Sequence, residues 1–215
     1  MPVYQLDEQI RFPHPELAEA DGLLAIGGDL SPERLTLAYS YGIFPWYNPG
    51  DPILWWSLDP RAVLFPNDFK LTKSLKQTIR KYNYQFKINS DFPAVIKACA
   101  NIPRNGQEGT WISPEMEAAY IRLNELNYAF SIETYSDGKL VGGLYGVQID
   151  DVFSGESMFH FQRDASKAAL YFLCKMAESL NIRMIDVQQP TEHIKSLGAI
   201  DMDREEFLRN LPAFQ

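Results

Sequence analysis

The sequence predicts an α+β protein, with a small N-terminal α/β lobe over residues 1–61 and a mixed-sheet domain over residues 62–215. Three observations predict it. The first sixty residues are dense in Pro, Gly and aromatics, as in GLLAIGGDL and GIFPWYNPGDPILWW, the composition of loops and turns packed by Trp and Tyr. The runs AFSIETY, LVGGLYGVQI and DVFSGESMF are rich in β-formers and separated only by the turn signals SDGK and DD, which makes an antiparallel meander. A long amphipathic pattern and the short apolar run RMIDVQ follow, adding a helix and a further strand to that meander.

Each element has its own local reason. In the N-terminal lobe one short helix is capped by Ser31, opened by Pro32 and ended by Gly42. RAVLFP and YQFKI read as strands on either side of the helix KLTKSLKQTIRK, whose Leu71, Leu75 and Ile79 form an apolar stripe. Helices follow near 91–100 and over 114–126, the second capped by Ser113 with Pro114 at its first position. After the meander, Asp164 caps a helix through about Leu180, and DREEFLRNL makes a short last helix.

Composition excludes several classes. At 215 residues, 46% hydrophobic and 22% charged, the chain is globular rather than disordered. MPVYQLDEQIRF lacks a basic head followed by an apolar run, and no apolar stretch of membrane-spanning length occurs, so a cytoplasmic protein without membrane contact is expected. Cys99 and Cys174 sit among apolar neighbours without a CxxC pattern, as free thiols of a reducing compartment do. The net charge of −8 argues against nonspecific nucleic-acid binding. The segment from Lys70 to Lys81 runs the other way: it holds five cations and no acid, and Lys73, Lys76 and Arg80 share one helix face. That face is a solvated surface or a phosphate-docking site.

Two strands carry groups that simple folding does not explain. Glu156 interrupts the apolar run VFSGESMF, where a carboxylate is costly without a partner. Alternation puts Val152, Ser154, Glu156 and Met158 on one face, unless a bulge at Gly155 breaks the pattern and brings Phe153 and Met158 together. In MIDVQ, Asp186 and Gln188 are two apart and project from one face of an otherwise apolar strand. Three acceptor-rich side chains on neighbouring strands would suit an amine substrate, which supplies only donors when protonated. Other chemistries find no support. His14, His160 and His193 are scattered without ligand spacing, so no metal site is expected; no GxSxG or Cys–His pattern is present, and the glycine pairs 27–28 and 142–143 lack the context of a phosphate loop.

The order of motifs GLLAIGGDLSPERLTLAYSYGIFPW, PILWWSLDPRAVL, GTWISPEM with Ala119–Tyr120, LVGGLYGV, FSGESMF, DASKAAL, IDVQ and SLGA resembles the leucyl/phenylalanyl-tRNA–protein transferase family from about Phe12 to Leu211. The resemblance implies a bacterial cytoplasmic aminoacyltransferase of the N-degron pathway. It would move Leu or Phe, and Met less well, from aminoacyl-tRNA to the N-terminal Arg or Lys of a protein, marking that protein for degradation. It further implies an acetyltransferase-like (GNAT) main domain, no cofactor or metal, and a monomer. Central roles fall on Asp186 and Gln188, with Glu156 at the aminoacyl-adenosine. Gln188 is expected to accept a hydrogen bond from the attacking amine, with Asp186 polarising Gln188 and attracting the cationic acceptor. By the same match Leu144, Phe153, Met158, Leu170, Leu173 and Ile185 line an apolar pocket, Trp46 and Trp111 offer faces for the adenine or the side chain, and Tyr120 lies at the substrate. Lys73, Arg80 and Lys81 would hold the acceptor stem by its phosphates.

Departures from the family pattern are Val187 for a common Cys, Leu173 for a frequent Phe, and Pro190–Thr191 after the IDVQ strand. Two other readings compete. An acyl-CoA-dependent acetyltransferase needs a glycine-bearing pyrophosphate loop, but the junction reads FQRDASKAAL. A non-enzymatic RNA- or N-degron-binding module needs the basic face and the acidic pocket but not Gln188.

Overall fold

The computed structural model describes residues 3–102 and 111–215; Gly109 and Thr110 of the GTWISPEM motif lie outside the described residues. The N-terminal segment forms a four-stranded sheet from β1 (Tyr4–Leu6), β2 (Leu23–Gly27), β3 (Phe44–Pro45) and β4 (Leu54–Trp56), in the order β1-β2-β4-β3, with α1 (Pro32–Ser40) inserted after β2. Only β1 and β2 run parallel. The sequence reading had loops around one helix here: strands of two to five residues are too short for alternation to show. The helix signals hold. Ser31 Oγ accepts the Arg34 N–H at 3.4 Å, Pro32 opens α1, and Gly42 turns the chain at φ +68°, where a Cβ would strike the Phe207 ring.

The remainder builds a seven-stranded mixed sheet, which bears out the α+β class. Its elements are β5 (Arg61–Leu64), α2 (Lys73–Lys81), β6 (Gln85–Ile88), α3 (Phe92–Asn101), α4 (Pro114–Glu125), β7 (Ala129–Ser136), β8 (Lys139–Ile149), β9 (Val152–His160), α5 (Ala165–Met176), β10 (Met184–Gln188), α6 (Glu192–Ser196), β11 (Ile200–Met202) and α7 (Arg204–Arg209). The order is β11-β5-β10-β9-β8-β7-β6. β6 to β9 form the expected antiparallel meander, whereas β10 lies parallel to β9 and antiparallel to β5. α6 and β11 were not expected. α5 is shorter than expected, and Asp164 stands at its N-cap in a left-handed conformation, φ +56°, without a side-chain cap bond. Its carboxylate instead accepts from Lys167 Nζ at 2.9 Å and Thr78 Oγ1 at 3.3 Å.

The hydrophobic core joins both sheets. Leu24 and Trp55 of the first sheet and Leu35 of α1 belong to one buried cluster with Tyr145 and Phe159 of the second sheet and Val95, Ile96 and Leu123 of α3 and α4. A second cluster holds Leu144, Phe153, Leu170, Leu173 and Ile185 under α5. Gly142 lets α5 approach β8, since a Cβ there would lie 2.5 Å from that of Ala165. Cys99 is buried, Cys174 is half-buried, and neither is in a disulfide. Among the described residues no helix is long and apolar enough to cross a membrane.

Candidate active site

The site lies where β9 and β10 part. Their parallel ladder runs Met184↔Val152, Ile185↔Phe153 and Asp186↔Ser154 and then stops, because both strands bulge at that level. Opposite β8, Gly155 pairs with Gly146 and Ser157 with Tyr145, so Glu156 is the extra residue of a bulge. Only glycine fits at 146, where a Cβ would come within 2.2 Å of the Ser154 carbonyl oxygen. The bulge brings Phe153 and Met158 to the same cavity wall, as the interrupted alternation anticipated. On β10 the register to β5 slips between Asp186 and Gln188, leaving Val187 as the extra residue.

This second bulge corrects one expectation. Asp186 and Gln188 do not project side by side: Gln188 lines the cavity together with Ile185, while Asp186 is 1% exposed and lies away from it. Gln188 has φ +62°, strained for a residue with a side chain, at about 1–3 kcal/mol. The conformation is held from both sides. Its N–H donates to Asp186 Oδ1 at 3.0 Å, and the next residue's N–H closes a tight turn onto the Val187 carbonyl at 2.8 Å.

Asp186 is in turn gripped by Arg61. Arg61 Nε donates to Oδ1 at 2.8 Å and Nη2 to Oδ2 at 2.6 Å, a two-pronged pair with both side chains 1% exposed. The guanidinium lies 4.8 Å from the Phe44 ring and 4.7 Å from the Phe207 ring, so two aromatic faces compensate its desolvation. Ser154 Oγ donates to Oδ2 at 3.4 Å. Both carboxylate oxygens of Asp186 are thus taken by Arg61, and Asp186 meets Gln188 through the Gln188 backbone N–H rather than the Gln188 amide.

The partner of that amide is Glu156. Gln188 Nε2 donates to Glu156 Oε1 and the Tyr120 hydroxyl donates to Oε2, both at 2.9 Å, and Tyr39 and Tyr120 share a hydrogen bond between their hydroxyls behind it. No cation pairs with this carboxylate among the described residues. Burial pushes Glu156 up to about 7, against the hydrogen bonds from Tyr39, Tyr120 and Gln188 that pull it down; the Asp186 charge pushes it further up. Because the amide donates through Nε2, its carbonyl oxygen is the end left for an incoming donor.

The cavity beside these groups has a volume of about 280 Å³. Leu144, Phe153, Met158, Leu170 and Ile185 supply apolar wall, Phe44, Trp46 and Trp111 aromatic wall, and Glu156, Ser157, Gln188, Gln189, Thr191 and His193 the polar groups. His193 is held below its usual value by partial burial and by nearby Lys167 and His160. The combination is one that ligand pockets favour: mostly apolar walls and a few convergent polar groups. Two expected pocket residues stand behind the wall instead. Leu173 is fully buried under Leu170, and Tyr120, also fully buried, reaches the site only through Glu156. Among the described residues no group of three or more His, Cys, Asp or Glu is placed to hold a metal ion.

The model of the family described as leucyl/phenylalanyl-tRNA protein transferase matches residues 63–212, and that of its N-terminal domain matches residues 28–59. The leucyl/phenylalanyl-tRNA–protein transferase of Desulfatibacillum aliphaticivorans is 51% identical over 208 residues, covering 97% of this chain and 89% of its own. This chain belongs to the leucyl/phenylalanyl-tRNA–protein transferase family. It is therefore an aminoacyltransferase of this type. The relative from Syntrophus aciditrophicus is 52% identical over 96% of this chain and 87% of its own. Among solved structures, a GCN5-related N-acetyltransferase from Kribbella flavida overlaps 80% of this chain and 61% of its own, with a TM-score of 0.41 and 10% identity.

In this family member the basic face stands apart from the cavity. Lys73, Arg80 and Lys81 lie exposed on α2, without an acidic partner among the described residues, and Lys81 Nζ rests 5.4 Å from the Tyr82 ring. Sequence reasoning missed Arg61, Tyr39 and Phe44. Arg61 was open to the argument applied to Glu156, since a charge beginning the apolar run RAVL also needs a partner. Nothing in the sequence distinguished Tyr39 from the other tyrosines.

Proposed function

We propose that the cavity receives the leucyl or phenylalanyl end of an aminoacyl-tRNA, and methionyl less well, and passes it to the N-terminal Arg or Lys of an acceptor protein, creating a degradation signal. The observation that carries this reading is the amide–carboxylate pair of Gln188 and Glu156 beside the apolar and aromatic walls of the cavity. Apolar walls select Leu, Phe and Met by desolvation. Trp46 and Trp111 offer faces for the terminal adenine, and the cations of α2 meet the acceptor-stem phosphates without reading bases.

The donor ester is already activated, so the task is orientation. The acceptor's amine nitrogen forms a bond to the ester carbonyl carbon while the carbon–oxygen bond to the ribose breaks. The departing ribose oxygen takes the electron pair and the proton the amine releases. Gln188 accepts a hydrogen bond from the amine through its carbonyl oxygen; a carboxamide is too weak a base to remove the proton itself. Glu156 holds that amide in orientation and accepts from the amino group or hydroxyls of the aminoacyl-adenosine. Asp186 and Arg61 fix the Gln188 backbone. The reaction places the enzyme in the cytoplasm, where charged tRNA is, and a monomer suffices because one chain supplies every group named.

The test is transfer of radiolabelled Leu or Phe from charged tRNA to peptides beginning with Arg, Lys, Asp or Ala. Label is expected on the Arg and Lys peptides and lost with Gln188→Ala. Equal labelling of the Asp peptide would overturn the acceptor assignment, and full activity of Gln188→Ala would overturn the role of the amide.

A further inference from the structure

At the end of β9 the chain places an aromatic ring in water. Phe161 is 65% exposed, the most exposed of the large apolar side chains in the described residues, and rests on Phe159 with ring centroids 5.0 Å apart and the planes tilted by 57°. It follows cavity-lining Met158 by three residues, about 10 Å of strand. The turn that carries it is tied to the basic helix by Thr78 Oγ1, which donates to Asp164 at 3.3 Å, and to the connection after that helix by the Tyr84 hydroxyl, which donates to the Arg163 carbonyl at 2.6 Å. The Arg163 side chain is 70% exposed, with Nε 3.4 Å from Asp164 Oδ2. Along the chain, a cavity-lining residue, the exposed ring and the turn bonded to α2 thus fall between Met158 and Asp164, in a protein whose net charge is −8.

We propose that Phe161 is a stacking platform for an unpaired nucleotide just upstream of the donor tRNA's terminal adenosine, with Arg163 and the α2 cations on the flanking phosphates. This rests on the aminoacyl-tRNA reading of the cavity. Exposed aromatics interleaved with cations are how single-stranded nucleic acid is held without sequence preference. The cations of α2 and Arg163 fit a polyanion and not the cationic acceptor, and the ring stands three residues along the chain from Met158 of the cavity expected to hold the terminal adenosine. An acidic or apolar peptide on the same face is the competing occupant.

The experiment compares full leucyl-tRNA with leucyl-adenosine as donors to one Arg-initiated peptide, using wild type, Phe161→Ala and Phe161→Trp. Phe161→Ala is expected to raise KM for leucyl-tRNA about five- to tenfold, the lower end of base–aromatic stacking, with kcat unchanged. KM for leucyl-adenosine and for the peptide should not move, and Phe161→Trp should keep the wild-type KM. An unchanged KM for leucyl-tRNA overturns the proposal, as does a rise confined to the peptide, which would give this face to the acceptor. If folded wild type transfers from neither donor, the donor reading itself fails and this inference goes with it.

Discussion

Two carboxylates a strand apart are treated in opposite ways. Asp186 on β10 is locked by a guanidinium that takes both its oxygens, itself sandwiched between Phe44 and Phe207. Among the described residues Glu156 on β9 has only neutral partners, the Tyr39 and Tyr120 hydroxyls and the Gln188 amide, and it lines the cavity. One charge is fixed and shapes the backbone that presents Gln188. The other has no cation beside it among the described residues, and it stands in the cavity wall. The difference teaches that a charged partner fixes one acid, while neutral donors leave the titration of the other to its surroundings.

The largest effect should come from breaking the fixed side. Asp186→Ala leaves the Arg61 charge buried and alone, which costs about 3–5 kcal/mol, and frees the Gln188 backbone; denaturant unfolding should show the loss, and transfer should fall with it. The double change Arg61→Met, Asp186→Leu should recover most of the stability without recovering activity. If it recovers both, the pair does not position Gln188.

Next in size is Gln188 itself. Gln188→Ala should lower kcat roughly 100-fold, the scale of removing one well-aimed polar group from a reacting centre, while folding is retained. Gln188→Gly should be equally inactive but more stable than Gln188→Ala by about 1 kcal/mol, because glycine accepts φ +62° without strain. Thermal unfolding of the two variants decides this.

The responsive side should show itself in pH. A carboxyl raised from 4.5 to about 7 favours the folded state when protonated, so its contribution is complete below the unfolded value and lost as pH rises through 7. Glu156→Gln should therefore match wild-type stability near pH 5 and exceed it above pH 8 by on the order of 2 kcal/mol. The smallest effect is expected from Tyr120→Phe, which removes one hydrogen bond to the carboxylate, worth about 1 kcal/mol, and should move the midpoint of that pH dependence upward. A downward shift would mean that Tyr120 does not serve the charged form.

How far these two regions were legible in the sequence follows from what each depends on. Glu156 and Asp186 were visible because a charge inside an apolar run is a local anomaly, and the Gly155–Glu156 bulge was legible from the glycine beside it. Arg61, 125 residues from Asp186, was not paired with it, because nothing in a periodic pattern says which distant strand becomes a neighbour. The slip at Val187 was equally hidden: no glycine marks it, and it turned Gln188 into the cavity while leaving Asp186 behind. The meander and the helices capped by Ser31 and Ser113 were legible because their signals lie within a few residues, whereas the cap expected of Asp164 was not formed. The N-terminal sheet was not, since its short strands are defined only by pairing.

The most direct test of this division is to titrate Glu156 itself. Carboxyl resonances of protein labelled with 13C-glutamate, followed from pH 4 to 9, should show one group with a midpoint near 7 that vanishes in Glu156→Gln. If every glutamate titrates below about 5, in the ordinary carboxylate range, Glu156 is as firmly held as Asp186 and the contrast between the two strands is wrong.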